Sequence, residues 1–349
     1  MLRRRNPVRT GHRRRPAAGL AMLALALVVA AVLEVSLGPV TIPFMQVLPK
    51  TVAYLRGDHS TAAVVMGAIR WPRLCVAVLV GAGLAATGAV LQAVFRNAMA
   101  DPGVIGVSAG GSLGAVLVIT AGGASVHAWA VPGGAFAAAL TAMAVVYRLG
   151  TIGGRTAVHT LLLAGVAVGS LCSALVTLVL SLTPLETMQQ ILFWLMGGLD
   201  GSTWMSAAWL AVSVAAGMAI YMAHADALDV MSIGEEQAEG VGVPLQRVKR
   251  VLFVTAAVVV GVCVSISGVI SFVGLIVPHL VRLWLGPRHR SLVPASALGG
   301  AVLVVAADIV ARMALRPVEL NIGVVTSCLG APFFLYLLRR HAVSPWRSA

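Results

Sequence analysis

Charge is scarce in this chain, and acidic charge scarcest: 12 Asp and Glu in 349 residues, with all charged residues making up 11%. A soluble domain of this length needs a charged surface, so a soluble globular fold is excluded. Lysine occurs only at Lys50 and Lys249, and neither follows the GxxxxG loop that cradles nucleotide phosphates. The four cysteines, Cys75, Cys172, Cys263 and Cys328, show no CxxC or metal-ligand spacing. The eight histidines form no HExxH or i,i+4 pair. No metal site, no catalytic residue and no cofactor is therefore expected in the chain. The apolar runs hold too few ionisable residues for a proton relay. Period-two alternation is missing as well, which argues against a membrane β-barrel.

What is present is apolar residue upon apolar residue. Hydrophobic residues make up 59% of the chain, and mean hydropathy is +0.95. Stretches of about 18 or more apolar residues recur from end to end, the length a helix needs to cross hydrocarbon. They predict an all-α polytopic membrane protein with about ten spans, at 17–38, 74–95, 103–122, 127–149, 158–182, 203–224, 250–268, 270–286, 293–314 and 321–340. Glycine is abundant, at 37 residues. Steps such as Gly106, Gly110 and Gly114, or Gly165 and Gly169, let helix backbones approach closely.

The net charge of +13 invites a nucleic-acid reading, but its placement argues for topology instead. With the N-terminus inside, the inner segments carry nineteen Lys and Arg, seven of them between Arg3 and Arg15. The outer segments carry six: Lys50, Arg56, Arg70, Arg73, Arg312 and Arg316. This is the positive-inside bias, with both termini cytoplasmic and the chain in the cell (inner) membrane. The first span follows Arg13-Arg14-Arg15 like a leader, but it is long and an even count needs it, so it is read as retained. The expected organisation is a basic arm over 1–16, a single permease domain over 17–340 and a tail over 341–349.

Two loops stand out, one outside from about Gly38 to Trp71 and one inside from Ala225 to Lys249. The inner loop holds five of the twelve acids: Asp226, Asp229, Glu235, Glu236 and Glu239. Ser232 to Glu235 fits a capping box, with Glu235 and Glu236 at a helix N-terminus. Gly240 and Gly242 offer a stop, and Pro244 suits the start of a further helix. The expectation over about 231–249 is two short helices around a glycine hinge, a lever for a cytoplasmic partner. A faint repeat also relates the halves: Gly81 and Gly88 against Gly261 and Gly268, then Ser108 to Val118 against Ser296 to Val304. It is the pattern of an inverted repeat in a transporter.

Three stretches resemble one family. The first runs from Arg70-Trp-Pro-Arg73 through Val80 to Gln92 and on from Phe95 to Gly110. The second is Ile233-Gly-Glu-Glu-Gln-Ala-Glu-Gly-Val-Gly-Val243. The third runs from Gly268 to Arg282, with Ala307 to Arg312 and Gly323 to Pro332 beyond it. Together, over roughly residues 20 to 340, they resemble the FecCD/BtuC-type permeases of type II ABC importers.

The resemblance implies a BtuC-like fold of ten helices that pairs with a second permease subunit, itself or a sister. Two cytoplasmic ATPase subunits would bind the ATP and Mg, and an extracytoplasmic binding protein would deliver the cargo. It implies ATPase coupling by Ile233, Gly234, Glu235, Glu236, Gln237, Ala238, Gly240, Val241, Gly242 and Val243. It implies docking of the binding protein by Arg70, Arg73 and Arg312, although Arg312 also lies one turn beyond Asp308 and suits a structural pair. Gate-lining falls to Asn97, Met99 and His159. Here the chain departs from the family's Asn-Pro-Leu-Ala-Asp-Pro: it reads Asn97-Ala98-Met99-Ala100-Asp101-Pro102, and the small hydroxyl residues of a related gate are Val158 and His159. The expected cargo is a ferric siderophore, with haem or cobalamin as alternatives. An ion-coupled secondary transporter is the reading from a different class, and an intramembrane enzyme a third.

Overall fold

The computed structural model of the protein describes residues 16–38, 42–122, 127–153 and 155–342. The basic arm up to Arg15 and the tail beyond Ala342 lie outside the described residues. Helices α1 (Pro16–Ser36), α2 (Phe44–Leu55) and α3 (Thr61–Val64) come first. A π-helical segment, Val65–Arg70, then leads without a break into α4 (Trp71–Val94). After a short 3-10 turn (Pro102–Ile105) come α5 (Val107–Thr120), α6 (Ala130–Gly150), a hairpin of β1 (Thr151–Ile152) and β2 (Arg155–Thr156), α7 (Val158–Leu182) and α8 (Leu185–Leu195). The rest comprises α9 (Trp204–Ala223), α10 (Ala225–Ile233), α11 (Glu235–Gly240), α12 (Leu245–Ser267), α13 (Val273–Leu285), α14 (His289–Met313) and α15 (Ile322–Ala342).

Among the described residues, seven helices are long and apolar enough to cross a membrane: α1, the α3–α4 unit, α6, α7, α9, α12 and α14. Three shorter apolar helices, α5, α13 and α15, complete ten. The protein is an all-helical, multi-pass membrane protein, and each expected span meets a helix.

Two segments expected to be loops are helical. Pro43, Pro49 and Gly57 read as loop signals, yet α2 forms and leaves Phe44, Met45, Leu48 and Leu55 exposed. The helix that follows begins at Thr61, not Leu74. Pro72 lacks the N–H that an unbroken α-helix would use, and the π turn just before it absorbs the mismatch. α8, after Pro184, seats Ile191 against Val116, Ile119 and Val176.

The inner elbow also differs from expectation. The helix expected from Glu235 is α11, which ends at Gly240 as read, and a further short helix, α10, precedes it across Gly234. The expected capping box does not form. Ser232 lies in the last turn of α10, where its hydroxyl donates to the Asp229 carbonyl at 2.7 Å. Gly242, with φ +85°, turns the chain, and the helix after Pro244 is not a separate short piece but α12 itself.

α4 is the most enclosed span, buried along most of its length between α14, α13, α12 and α9. Its crossings require glycine. A Cβ on Gly81 would lie 2.3 Å from the Gly300 carbonyl oxygen of α14, and one on Gly88 would lie 1.9 Å from that of Gly274 at the start of α13. Without a hydrophobic force between spans, such backbone approach supplies the van der Waals contact that holds them. α5 meets α6 in the same way through Gly110 and Gly114, whose Cβ atoms would strike Ala138, Ala142 and Gly134.

Counting ten alternating spans, α4 and α12 cross in opposite senses, but α5 and α14, which carry the serine-led echo, cross in the same sense. Gly268, with φ +64°, ends its helix, whereas Gly88 lies inside one. The echo over 108–118 and 296–304 is therefore no part of an inverted unit.

Gly81→Ala or Gly300→Ala should lower stability by about 1–3 kcal/mol through overpacking, seen as a lower unfolding midpoint in detergent. Gly133→Ala, which meets no neighbour within 4 Å, is the control and should cost nothing. A wild-type midpoint for Gly81→Ala would contradict the close crossing.

Candidate functional site: an elbow, an arginine cluster and a cavity

The chain's chemistry gathers at three places. On the elbow face, Asp229 of α10 accepts from the His289 main-chain N–H at 2.8 Å and contacts the His289 ring Nδ1 at 2.6 Å. This ties α10 to the first turn of α14. Arg290 donates to both oxygens of Asp226 at 2.9 and 2.8 Å, and that guanidinium holds the exposed Asp226 carboxyl below its ordinary value. Lys249, fully buried, donates to Glu235 at 2.8 Å and to the Thr156 carbonyl at 3.1 Å. Gln246 accepts from the Thr156 N–H at 3.0 Å.

These ties make the elbow a rigid body with one face left over. Ala238 is buried and seats α11, while Glu236, Gln237, Glu239, Gly240 and Gly242 are exposed. Ile233 and Val241 stand out as apolar side chains 69% and 70% exposed. Glu235 and Glu236 part company here: Glu236 faces outward, whereas Glu235 turns back to Lys249.

On the opposite face, where α2 lies, Arg70, Arg73 and Arg312 are 5%, 9% and 4% exposed. All three residues expected at the docking face are turned into the fold, and Arg312 makes the structural pair with Asp308 that its spacing suits. Arg73 of α4 grips both oxygens of Asp308 at 2.9 Å and reaches Asp200 and Glu319 at 3.1 Å each. Arg312 pairs with Asp308 at 3.2 Å and with Glu34, and it donates to the main-chain oxygens of Glu34 and Leu37 at 3.1 Å. Arg70 donates to Val35 and Ser36 carbonyls. The cluster stitches α1, α4 and α14 together, a task suited to the planar, many-donor guanidinium. Buried ion pairs add little net stability, but removing one partner strands the other charge.

Between the faces lies a cavity of about 540 Å³ lined by Met99, Asp101, Ser108, Ser112, Ser271 and Phe272, among others. Of the residues expected at the gate, Met99 lines this space. Asn97 is exposed outside that lining, and its side-chain oxygen accepts from the Met99 N–H at 2.9 Å, shaping the turn. His159 is exposed in the first turn of α7, outside the cavity lining. Asp101 accepts from the Gly103 N–H at 2.7 Å. Desolvation pushes its carboxyl up to about 6, with that hydrogen bond opposing.

Phe272 has φ +68°, a left-handed conformation unusual for an aromatic residue. It caps α13 after the non-helical stretch 268–272 and lies against Gly330 of α15, where a Cβ would come within 2.3 Å of its ring. Such irregular backbone is tolerated in a membrane protein where other chain covers it. Gly198 of the α8–α9 connection donates to the Ser267 carbonyl at 2.9 Å, and Gly197 sits against Val269.

Sequence reasoning missed Glu34, Asp200 and Glu319 as partners of the arginines, and Thr156 and Gln246 as partners of the elbow. The three acids Glu34, Asp200 and Glu319, rare in so apolar a chain, were the available signal. Among the described residues, no group of three or more His, Cys, Asp or Glu is placed to hold a metal ion.

Comparison with known proteins places this geometry. The model of the FecCD transport family matches residues 26–340. A cobalamin import system permease protein BtuC from Halobacterium salinarum is 46% identical over 297 residues, covering 84% of this chain and 79% of that one. A vitamin B12 import system permease protein BtuC from Salmonella arizonae is 39% identical over 274 residues, 78% of this chain and 82% of its own. Among solved structures, an inward-facing metal-chelate type ABC transporter aligns with a TM-score of 0.81 at 30% identity, covering 93% of this chain and 99% of its own.

If the arginine cluster is a single unit, Arg312→Met should destabilise by about 3–5 kcal/mol, because Glu34 and Asp308 lose their partner. Adding Glu34→Gln should recover part of that loss in denaturant unfolding in bicelles. Strictly additive losses would show that the two residues act independently.

Proposed function

The chain belongs to the FecCD transport family and is an ABC importer permease, and from that premise we propose that its cargo is a corrinoid of the cobalamin type. The observation that carries the cargo is the 46% identity to a cobalamin permease across most of both chains. The Salmonella arizonae vitamin B12 permease supports it at 39%. The siderophore expectation gives way here to its cobalamin alternative. The cavity wall is largely apolar with scattered serines. Weak, dispersed contacts of this kind suit a large amphipathic cargo whose selection rests with a separate binding protein.

In this reading the permease sits in the cytoplasmic membrane with both termini inside, paired with a second permease subunit. Two ATPase subunits hold ATP and Mg and engage the elbow at Ile233, Glu236, Gln237, Glu239 and Val241. Exposed apolar side chains within a charged rim are the anatomy of a protein contact. Alternating access follows when ATP binding and hydrolysis displace the elbow and Met99 with its neighbours opens or closes the cavity. A binding protein docks on the α2 face. Because Arg70, Arg73 and Arg312 are buried, their part in docking is indirect: they hold α1, α4 and α14 in register beneath that surface.

The test is uptake by vesicles holding the permease, its ATPase and its binding protein. Labelled cyanocobalamin should accumulate with ATP, and excess unlabelled corrinoid should abolish the signal, whereas a ferric siderophore or haem should not. Competition by the siderophore alone would overturn the cargo. Separately, Ile233→Asp with Val241→Asp should abolish co-purification of the ATPase, and intact assembly would refute that contact.

A further inference from the structure

We infer that Lys249 is a positioning residue that transmits displacement of α11 to the start of α7. The inference rests on the reading of the elbow as the ATPase contact.

Lys249 lies in the second turn of α12 and is fully buried. Its ammonium bonds to two elements at once: the Glu235 carboxylate of α11 at 2.8 Å and the Thr156 carbonyl of β2 at 3.1 Å. Three residues earlier on the same helix, Gln246 accepts from the N–H of the same Thr156 at 3.0 Å. Both main-chain groups of Thr156 are therefore held from α12. Its hydroxyl meets that of Thr151 across the hairpin at 3.0 Å, so β1 moves with β2. Two residues beyond Thr156, α7 begins, with His159 exposed in its first turn. Within the single chain α7 is the least buried of the long spans.

A buried ammonium is costly, and an apolar side chain of similar length would fill the space as well. What the charge adds is a directional link, because each partner must stay within hydrogen-bond reach of the same nitrogen or leave an unpaired charge behind. Glu235 forms the outer end, half exposed and beside the outward-facing Glu236. Force applied to α11 thus reaches the residues that start α7 through two hydrogen bonds, not through the whole body of α12.

The experiment uses the assembled permease–ATPase complex in lipid vesicles, with cyanocobalamin as cargo and hydrogen exchange as a second readout. Lys249→Met should leave an assembled complex whose cargo moved per ATP falls on the order of tenfold, the scale of a typical coupling free energy. ATP should still alter exchange over 235–240 but no longer over 155–161. Lys249→Arg, which keeps the charge and donors, should recover most of the coupling. Glu235→Gln should weaken coupling too, and should add nothing to Lys249→Met if the two act in series.

A wild-type ratio of cargo to ATP in Lys249→Met, with the exchange response over 155–161 intact, would overturn the link. If Lys249→Met does not assemble, Glu235→Gln decides on the same two readouts, and wild-type behaviour there overturns it equally. Failure of the wild-type chain to bind any ATPase is a different result, and it would refute the functional reading itself.

Discussion

Everything in this fold hangs on how closely α4 approaches its neighbours. At Gly81 and Gly300 two backbones touch where a single added carbon has no room, and at Gly88 and Gly274 the same is true one helix over. Lipid offers no hydrophobic drive to push spans together, so this contact has to come from surface fit. Because α4 is fixed there, its two ends are fixed as well. One end carries Arg73 into the acids of α14 and the neighbouring connections. The other leads through Asn97 and Met99 to the cavity wall.

The two faces solve opposite problems. On the α2 face, buried charge is used for register: three arginines and their acids lock α1, α4 and α14 so that the surface above them keeps one shape. On the elbow face, charge is used at joints. Asp229 with His289 and Glu235 with Lys249 link short helices to longer ones, and only the outer side of α11 is left to a partner. Under the proposed function this difference has a use: a loading face on the α2 side would present a constant template, and a driven elbow face would pass on movement.

Most of the architecture was legible in the sequence because membrane spans are set by hydropathy and length, which are local properties. The ten spans, the lysine-poor chain without a nucleotide loop and the acidic elbow all follow from runs of residues. What was hidden depends on contacts between distant segments. The Arg312–Asp308 pair, one turn apart, was legible, whereas the contacts of Arg73 with Asp308 and of Arg312 with Glu34 join segments far apart in the chain and were not. The stop at Gly240 was legible, but α10 and its break at Gly234 were not, and Ser232 prefers its own helix's carbonyl to a cap. α2 was missed because it is short, carries Pro49 within it and lies in a segment read only as an outer loop. Phe272 could not have been singled out at all, since nothing in an apolar run announces a left-handed aromatic residue.

The central claim is that this membrane body does no chemistry and is moved by nucleotide hydrolysis in another subunit. The most direct measurement compares two sets of vesicles carrying the permease with its ATPase and binding protein. One receives ATP without any ion gradient, and the other receives a proton or sodium gradient with a hydrolysis-deficient ATPase. Concentrative uptake confined to the first set is the predicted result. Accumulation in the second set would mean that the spans harvest an ion gradient themselves, and the account would fail.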